Sequence, residues 1–353
     1  MDLNNLILFF LLTLFSLFFY KFFLIYLEKK FPNFLTDNQL LKPQAFHQVP
    51  TSTSGGAYIF FSFLIIYFNF LLFKETLFFE YFSFCTLFFI LGFVDDIKIE
   101  IKPSTRLILM IVFLILLINF NDFYIHKTGI GFLNNWIGDS EIFSLFFVCL
   151  CFLFIVNGAN LIDGYNGLLG IHSLIILVNL LIINYLNGNA DLVSFLFFGI
   201  LVLAIFLLFN FPKARVFLGD SGSYFLGAFV AISVIKTSIA NPIISPFFFC
   251  IMLFYLFFEV FFSFFRKLVK EKKSPIHPDK KHLHMLLYKL LLKKSGDKLK
   301  SNYLVSLIIN FTYLILISPT FFMMNDGMFC KYYSVVLFIF YIFCYKIAYE
   351  KDR

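Results

Sequence analysis

Charge is what this sequence has least of. Asp, Glu, Lys and Arg make up 14% of its 353 residues, against roughly 25% in a soluble domain. A soluble α/β enzyme of that composition would not stay in solution. Cysteine is sparse as well. The six (Cys85, Cys149, Cys151, Cys250, Cys330, Cys344) lie within or beside apolar runs and form no CxxC, so neither a disulfide framework nor a zinc site is indicated. They read as small apolar residues on helices. A cleavable leader is also missing from the expectation. The first apolar run lacks a basic start and is too long for a signal-peptide core, so it is expected to stay as a helix.

What is present is apolar. Hydrophobic residues make up 61%, aromatics 22%, and Phe alone accounts for 58 positions; the mean hydropathy is +0.89. The excess of Phe, Ile, Asn and Lys looks like nucleotide bias in the source genome, so a single Phe carries little information. Long apolar runs recur from end to end. The fold class is therefore an all-α integral membrane protein, one polytopic domain over 1–353. At about 20 apolar residues per crossing, eleven spans are expected, roughly at 5–27, 55–73, 76–94, 105–121, 142–157, 168–186, 192–210, 222–239, 244–265, 302–323 and 332–348.

Lys and Arg in the loops set the orientation. With the N-terminus outside, the cytoplasmic segments are 28–54, 95–106, 158–167, 211–221, 266–300 and the tail from 346, and they hold 23 of the 28 basic residues. Lys21 falls inside the first span, and Lys74, Lys127, Lys236 and Lys331 are assigned to the outer side. This asymmetry also accounts for the net charge of +7. The basic excess faces anionic headgroups or an anionic substrate, so nucleic-acid binding is not called for.

The unusual polar residues fall on that same face. FILGFV runs directly into Asp95 and Asp96. A lone acid there would read as a hydrated loop residue beside Lys98 and Lys102; a pair at a span end is costlier and points to function. NGANLIDGYNGLLG (157–170) sets Asn157, Asn160, Asp163 and Asn166 among glycines. These residues suit a turn between helices, and their oxygens equally suit a hard cation or sugar hydroxyls. The order of residues excludes an EF-hand. FLGDSGSYFLG (217–227) contains GDSG, but a serine-protease nucleophile is excluded because the motif opens a membrane span. It reads as a Gly-Asp turn starting a helix, with Ser221 and Ser223 near amides that favour phosphate oxygens and Asp220 able to hold Mg²⁺; the plainer reading of Asp220 is an N-cap. The loop 266–300, the largest, carries His277, Asp279, His282 and His284 among lysines. His282 and His284 are two apart, unlike an HExxH pair, and could converge from an extended segment or a helix start. Phosphate binding fits them better than metal ligation; a basic loop resting on headgroups is the alternative. Carboxylates for Mg²⁺ and cations for phosphates at one membrane face are what phosphoryl transfer to a membrane-bound acceptor requires.

In order and spacing these motifs resemble the polyprenyl-phosphate N-acetylhexosamine-1-phosphate transferases, glycosyltransferase family 4. The resemblance rests on GG at 55–56, GFVDD at 92–96, NxxNLIDGxNGL at 157–168, FNFPKARVFLGDSGS at 209–223 and SPIHPDKKHLH at 274–284. It implies transfer of a sugar-1-phosphate from a UDP-sugar to undecaprenyl phosphate, releasing UMP and starting a cell-surface polysaccharide. The lipid phosphate oxygen would attack the β-phosphorus. It implies Mg²⁺, with Mn²⁺ as an alternative ion, a plasma-membrane location and a cytoplasmic site; a homodimer is compatible. Catalytic roles would fall to Asp95, Asp96, Asp220, His282 and His284, metal contacts to Asp220 and Asn160, and substrate contacts to Asn157, Asp163, Asn166, Asn210, Arg106 and Lys98. Two departures stand out: Asn166 where Asp is commoner, and Met285 where many members have a further His. The stretch after the histidines, MLLYKLLLKK, lacks the Trp-containing acidic run usual in the muramoyl-pentapeptide branch; the only Trp is Trp136. That branch and a cation-coupled secondary transporter remain as alternatives.

Overall fold

In hydrocarbon every backbone N–H and C=O must be bonded within the chain, and the long apolar runs accordingly form helices. The computed structural model describes residues 3–30, 34–37, 50–74, 78–99, 101–272, 274 and 280–352; His277 and Asp279 lie outside them. In chain order, α1 (Leu3–Phe18) passes through a π-helical turn into α2 (Leu24–Lys30), followed by α3 (Gly55–Asn69), α4 (Phe79–Asp96), α5 (Pro103–Asn121), α6 (Gly131–Asp139), α7 (Glu141–Ile162), α8 (Leu168–Leu186), α9 (Ala190–Asn210) and α10 (Gly219–Ala240). Then come α11 (Pro246–Met252), α12 (Phe254–Phe265), α13 (Leu283–Ser295), α14 (Lys298–Phe322) and α15 (Gly327–Asp352).

The protein is a multi-pass membrane protein. Among the described residues nine helices are long and apolar enough to cross a membrane, or ten if α11 and α12 form one span bent by 75°. The helix α4 is 18 residues long with Glu80 near one end and Asp95 and Asp96 at the other, and it stands where the third span was expected. The ninth expected span, 244–265, is thus broken near Leu253 rather than continuous. The fifth, expected to close at Asn157, runs on to Ile162, so Asn157 and Asn160 are helical and not in a loop. Two further helices, α6 and α13, occupy segments read as loops. Lys236 is not in an outer loop; it lies on α10, with its ammonium 2.8 Å from Glu80 on α4.

The centre is α10. In its most apolar stretch 78% of residues are buried, against 17% for α15 at the rim. Small residues make this possible: GDSGS, Gly227, Ala228 and Ala231 let neighbouring backbones come close, as membrane helices require when lipid is as apolar as the side chains. Large aromatics fill the remaining space, Phe60 stacked on Phe89 at 3.9 Å and Phe84 on Phe152 at 5.0 Å. A short antiparallel pair, β1 (Thr36–Asp37) with β2 (Thr51–Ser52), precedes α3. The chain from β2 into α3 is zipped to the approach of α10, with Phe217 N–H donating to Ser52 O (2.7 Å), Gly55 N–H to Phe217 O (3.0 Å) and Gly56 N–H to Leu218 O (2.9 Å).

Candidate active site

The site starts from a glycine. A Cβ at Gly92 on α4 would lie 2.5 Å from the Ser221 backbone nitrogen on α10, so only glycine allows the two helices to meet there. Asp96 follows one turn later on the same face. Its carboxylate accepts from Asp220 N–H (2.9 Å), Ser221 N–H (3.0 Å) and the Ser221 hydroxyl (2.5 Å). Asp96 therefore caps α10 from another helix. Leu218, just before α10, offers no polar side chain for the purpose, and Asp220 does not act as the N-cap. The expectation that the first amides of α10 await a phosphate is corrected: those of Asp220 and Ser221 are taken by Asp96.

Asp95 points elsewhere. It is bonded to the Arg106 guanidinium, in the first turn of α5, and the same Arg106 nitrogen lies 3.5 Å from Asp220 Oδ2. The guanidinium also sits 5.7 Å from the centre of the Tyr224 ring. Of the two acids that Arg106 joins, Asp220 is the open one, with its side chain 39% exposed against 14% for Asp95. On its other side Asp220 accepts from Asn160 Nδ2 at 2.8 Å, and that amide also donates to Ser223 Oγ at 3.0 Å. Asp163, just past the end of α7, completes the acidic group: burial first, then the neighbouring Asp220 and Asp96 charges, push its carboxyl well above the ordinary carboxylate range.

Thus the ends of α4 and α7 and the starts of α5 and α10 bring Asp95, Asp96, Arg106, Asn160, Asp163 and Asp220 together. Other expected site residues are used as fasteners. Asn157 donates to Leu153 O on its own helix (2.8 Å) and contacts Met110 Sδ (3.8 Å). Asn166 donates through Nδ2 to Pro212 O (2.9 Å), its N–H donates to Asn302 Oδ1 (2.9 Å), and its carbonyl accepts from Ser306 (2.7 Å). Asn210 accepts from Gly167 N–H (2.7 Å) and donates to Val216 O (2.9 Å). These amides tie the 163–167 turn to the 211–218 segment and to α14. Lys98 is exposed just beyond α4, in a left-handed conformation with φ +64°.

His282 and His284 do converge at a helix start. The His282 backbone is extended and His284 lies in the first turn of α13, and the rings stack with centres 5.5 Å apart and planes 5° from parallel. Both are buried, and both face Glu259, whose Oε2 lies 3.1 Å from His282 Nδ1. Sequence reasoning passed over Glu259. The signal was available: it is the lone charge in FYLFFEVFFSFF, and ionisable groups at membrane depth are functional suspects.

For a divalent cation the donor set is hard oxygen: the open Asp220 carboxylate, the Asn160 amide and the nearby Asp163. Among the described residues no three His, Cys, Asp or Glu side chains form a metal-binding group. Mg²⁺ commonly takes one or two protein carboxylates and completes its shell with water and substrate phosphates, and the residues present fit an ion held in that way.

A model of the family described as glycosyl transferase family 4 matches residues 78–238, the stretch that carries the acidic group. The phospho-N-acetylmuramoyl-pentapeptide-transferase of Dictyoglomus thermophilum is 32% identical over 239 residues, 66% of this chain and 74% of the relative. The undecaprenyl-phosphate alpha-N-acetylglucosaminyl 1-phosphate transferase of Thermotoga maritima is 38% identical over 145 residues, 41% of this chain and 43% of the relative. A probable undecaprenyl-phosphate N-acetylglucosaminyl 1-phosphate transferase of Bacillus subtilis is 33% identical over 175 residues, 47% of this chain and 46% of the relative.

Proposed function

Because the chain belongs to glycosyl transferase family 4, we propose that it transfers a sugar-1-phosphate, the sugar being an N-acetylhexosamine, from a UDP-sugar to a polyprenyl phosphate and releases UMP. The carrying observation is the Asp220 carboxylate, held between the Asn160 amide and the Arg106 guanidinium at the common end of four membrane helices. A lipid phosphate reaches such a place laterally, and a nucleotide sugar reaches it from water. The basic-residue pattern supports a cytoplasmic side for that end.

Each residue then has a task. Arg106, already paired with Asp95, supplies a fixed positive charge beside Asp220 for the incoming phosphates. Asp96 holds the first turn of α10, and with it the Asp220 backbone, in place. Asp163 and the turn it opens border the nucleotide side, and the Asn166 and Asn210 amides fix that turn. Mg²⁺, held by Asp220 with Asn160 and Asp163 close by, would neutralise the diphosphate and make its β-phosphorus a better electrophile. An oxygen of the lipid phosphate attacks that phosphorus, the bond to the UMP oxygen breaks, and the exchange of one phosphoanhydride for another makes the reaction reversible.

The donor is proposed to be a UDP-N-acetylhexosamine of the polysaccharide-initiating type, since MLLYKLLLKK after the histidines forms the packed helix α13, with Met285, Leu286 and Tyr288 buried. A second reading, a UDP-muramoyl-pentapeptide donor, draws support from the broader coverage of the Dictyoglomus relative. The test supplies membranes containing the protein with undecaprenyl phosphate and, separately, radiolabelled UDP-N-acetylglucosamine and UDP-N-acetylmuramoyl-pentapeptide. Labelled lipid from the first alone is expected. Labelled lipid from the second alone would transfer the protein to the other branch, and sugar or ion flux without UMP release would end the transferase reading.

A further inference from the structure

Glu259 lies in the apolar helix α12 and is 1% exposed. A carboxylate so placed is costly unless it is bonded, and its bonds are specific. Oε2 stands 3.1 Å from His282 Nδ1, Oε1 accepts the Leu283 N–H at 3.2 Å, and Oε1 is 3.8 Å from His284 Nδ1. The Tyr255 hydroxyl, one turn earlier on α12, is 3.4 Å from His284 Nδ1. One acid thus holds the first N–H of α13 and the stacked pair of imidazoles together.

The group borders the acidic site. The helices α7 and α12 touch through their backbones: a Cβ at Gly158 would lie 2.7 Å from the Leu256 carbonyl carbon. Asn160 and Glu259 follow that contact by two and three residues on their own helices, within about 5 Å of axial rise at 1.5 Å per residue. Tyr165, two residues past Asp163, packs its ring 5.7 Å from that of His284.

We propose that Glu259 is a positioning residue for the transfer reaction: its carboxylate holds the stacked His282 and His284 imidazoles and the start of α13 in one orientation at the border of the acidic site, where they meet the donor diphosphate. This rests on the sugar-phosphate transfer reading above. A carboxylate on one imidazole nitrogen sets the tautomer, the ring orientation and the charge available at the other. The neutral Gln of Glu259→Gln keeps the length of the side chain and an oxygen for the Leu283 N–H, but it replaces the second carboxylate oxygen with an NH₂ that cannot accept from an imidazole N–H. A purely structural cap would be served as well by Gln as by Glu.

The experiment measures transfer from the UDP-sugar and thermal unfolding of the purified full chain in detergent, for wild type, Glu259→Gln, Glu259→Asp, His282→Ala and the Glu259→Gln/His282→Ala double variant. Glu259→Gln should lower kcat about 10- to 100-fold, with little change in KM for the UDP-sugar and in unfolding temperature. Glu259→Asp, which keeps the charge but retracts it, should recover part of the loss. The double variant should be no worse than His282→Ala alone. Wild-type turnover in Glu259→Gln beside an impaired His282→Ala overturns the inference, as do losses that multiply in the double variant. If Glu259→Gln does not accumulate, Glu259→Asp carries the test, and wild-type turnover there is refuting. Wild-type turnover in His282→Ala also overturns it while leaving the transferase reading intact; that reading fails if the wild-type protein forms no labelled lipid.

Discussion

Removing the Asp96 carboxylate should destabilise the start of α10, because that carboxylate accepts three hydrogen bonds there, from the N–H groups of Asp220 and Ser221 and from the Ser221 hydroxyl. Loss of an N-cap costs about 0.5–2 kcal/mol, and a hydrogen bond to a charged acceptor contributes about 1.5–3 kcal/mol. Water can replace part of the loss at this half-buried position, so Asp96→Ala should cost about 2–4 kcal/mol. At about 2 °C per kcal/mol, the large-chain end of the usual range, unfolding should fall by about 4–8 °C. Unfolding in detergent can be followed with a thiol-reactive dye, since Cys85 and Cys330 are fully buried. Asp96→Asn keeps one acceptor oxygen but turns an NH₂ toward donors, so it should lose part of that margin. Transfer should fall with stability in both, because Asp220 sits in the turn that Asp96 holds. Asp95→Asn should behave differently: it weakens a partly exposed ion pair with Arg106, worth about 1 kcal/mol or less to stability. An Asp96→Ala protein that unfolds within about 1 °C of wild type yet transfers nothing would refute the cap and return Asp96 to a chemical role.

Asp220→Ala should abolish transfer while the protein still inserts and accumulates, and EDTA should silence the wild type until Mg²⁺ is restored; robust activity in the variant would show that the metal is held elsewhere. Asn166→Asp restores the residue commoner in the resembling family, yet here it removes the Nδ2 donor to Pro212 O and sets a carboxylate against a carbonyl. It should cost about 1–3 kcal/mol, read as a lower unfolding temperature, and an unchanged one would mean that this bond is unimportant. Reporter fusions at positions 215 and 285 should both give a cytoplasmic signal and one at 130 an external signal; an external signal at 285 would separate the histidines from the nucleotide's side of the membrane.

The sequence by itself determined the class, because runs of apolar residues can satisfy their backbone in lipid only as helices; it did not fix the number of crossings, eleven being expected against nine or ten helices long and apolar enough to cross among the described residues. It also brought Asp95, Arg106, Asn160, Asp163 and Asp220 to one face, since alternate span ends return to the same side. What it left open were the partners within that face. Asp95 and Asp96 are adjacent and chemically identical, yet one bonds Arg106 and the other caps α10, because side chains about 100° apart on a helix meet different neighbours. Which neighbour each meets depends on Gly92 letting α4 touch α10. The roles of Asn157, Asn166 and Asn210 were undetermined for the same reason: an amide reads alike in sequence whether it meets a ligand or a carbonyl, and here Leu153, Pro212 and Val216 take them. Glu259 is the sharpest case. Its solitary charge was written in the sequence, but 23 residues separate it from His282, and only the packing of α12 against the start of α13 puts a carboxylate where two imidazoles can share it.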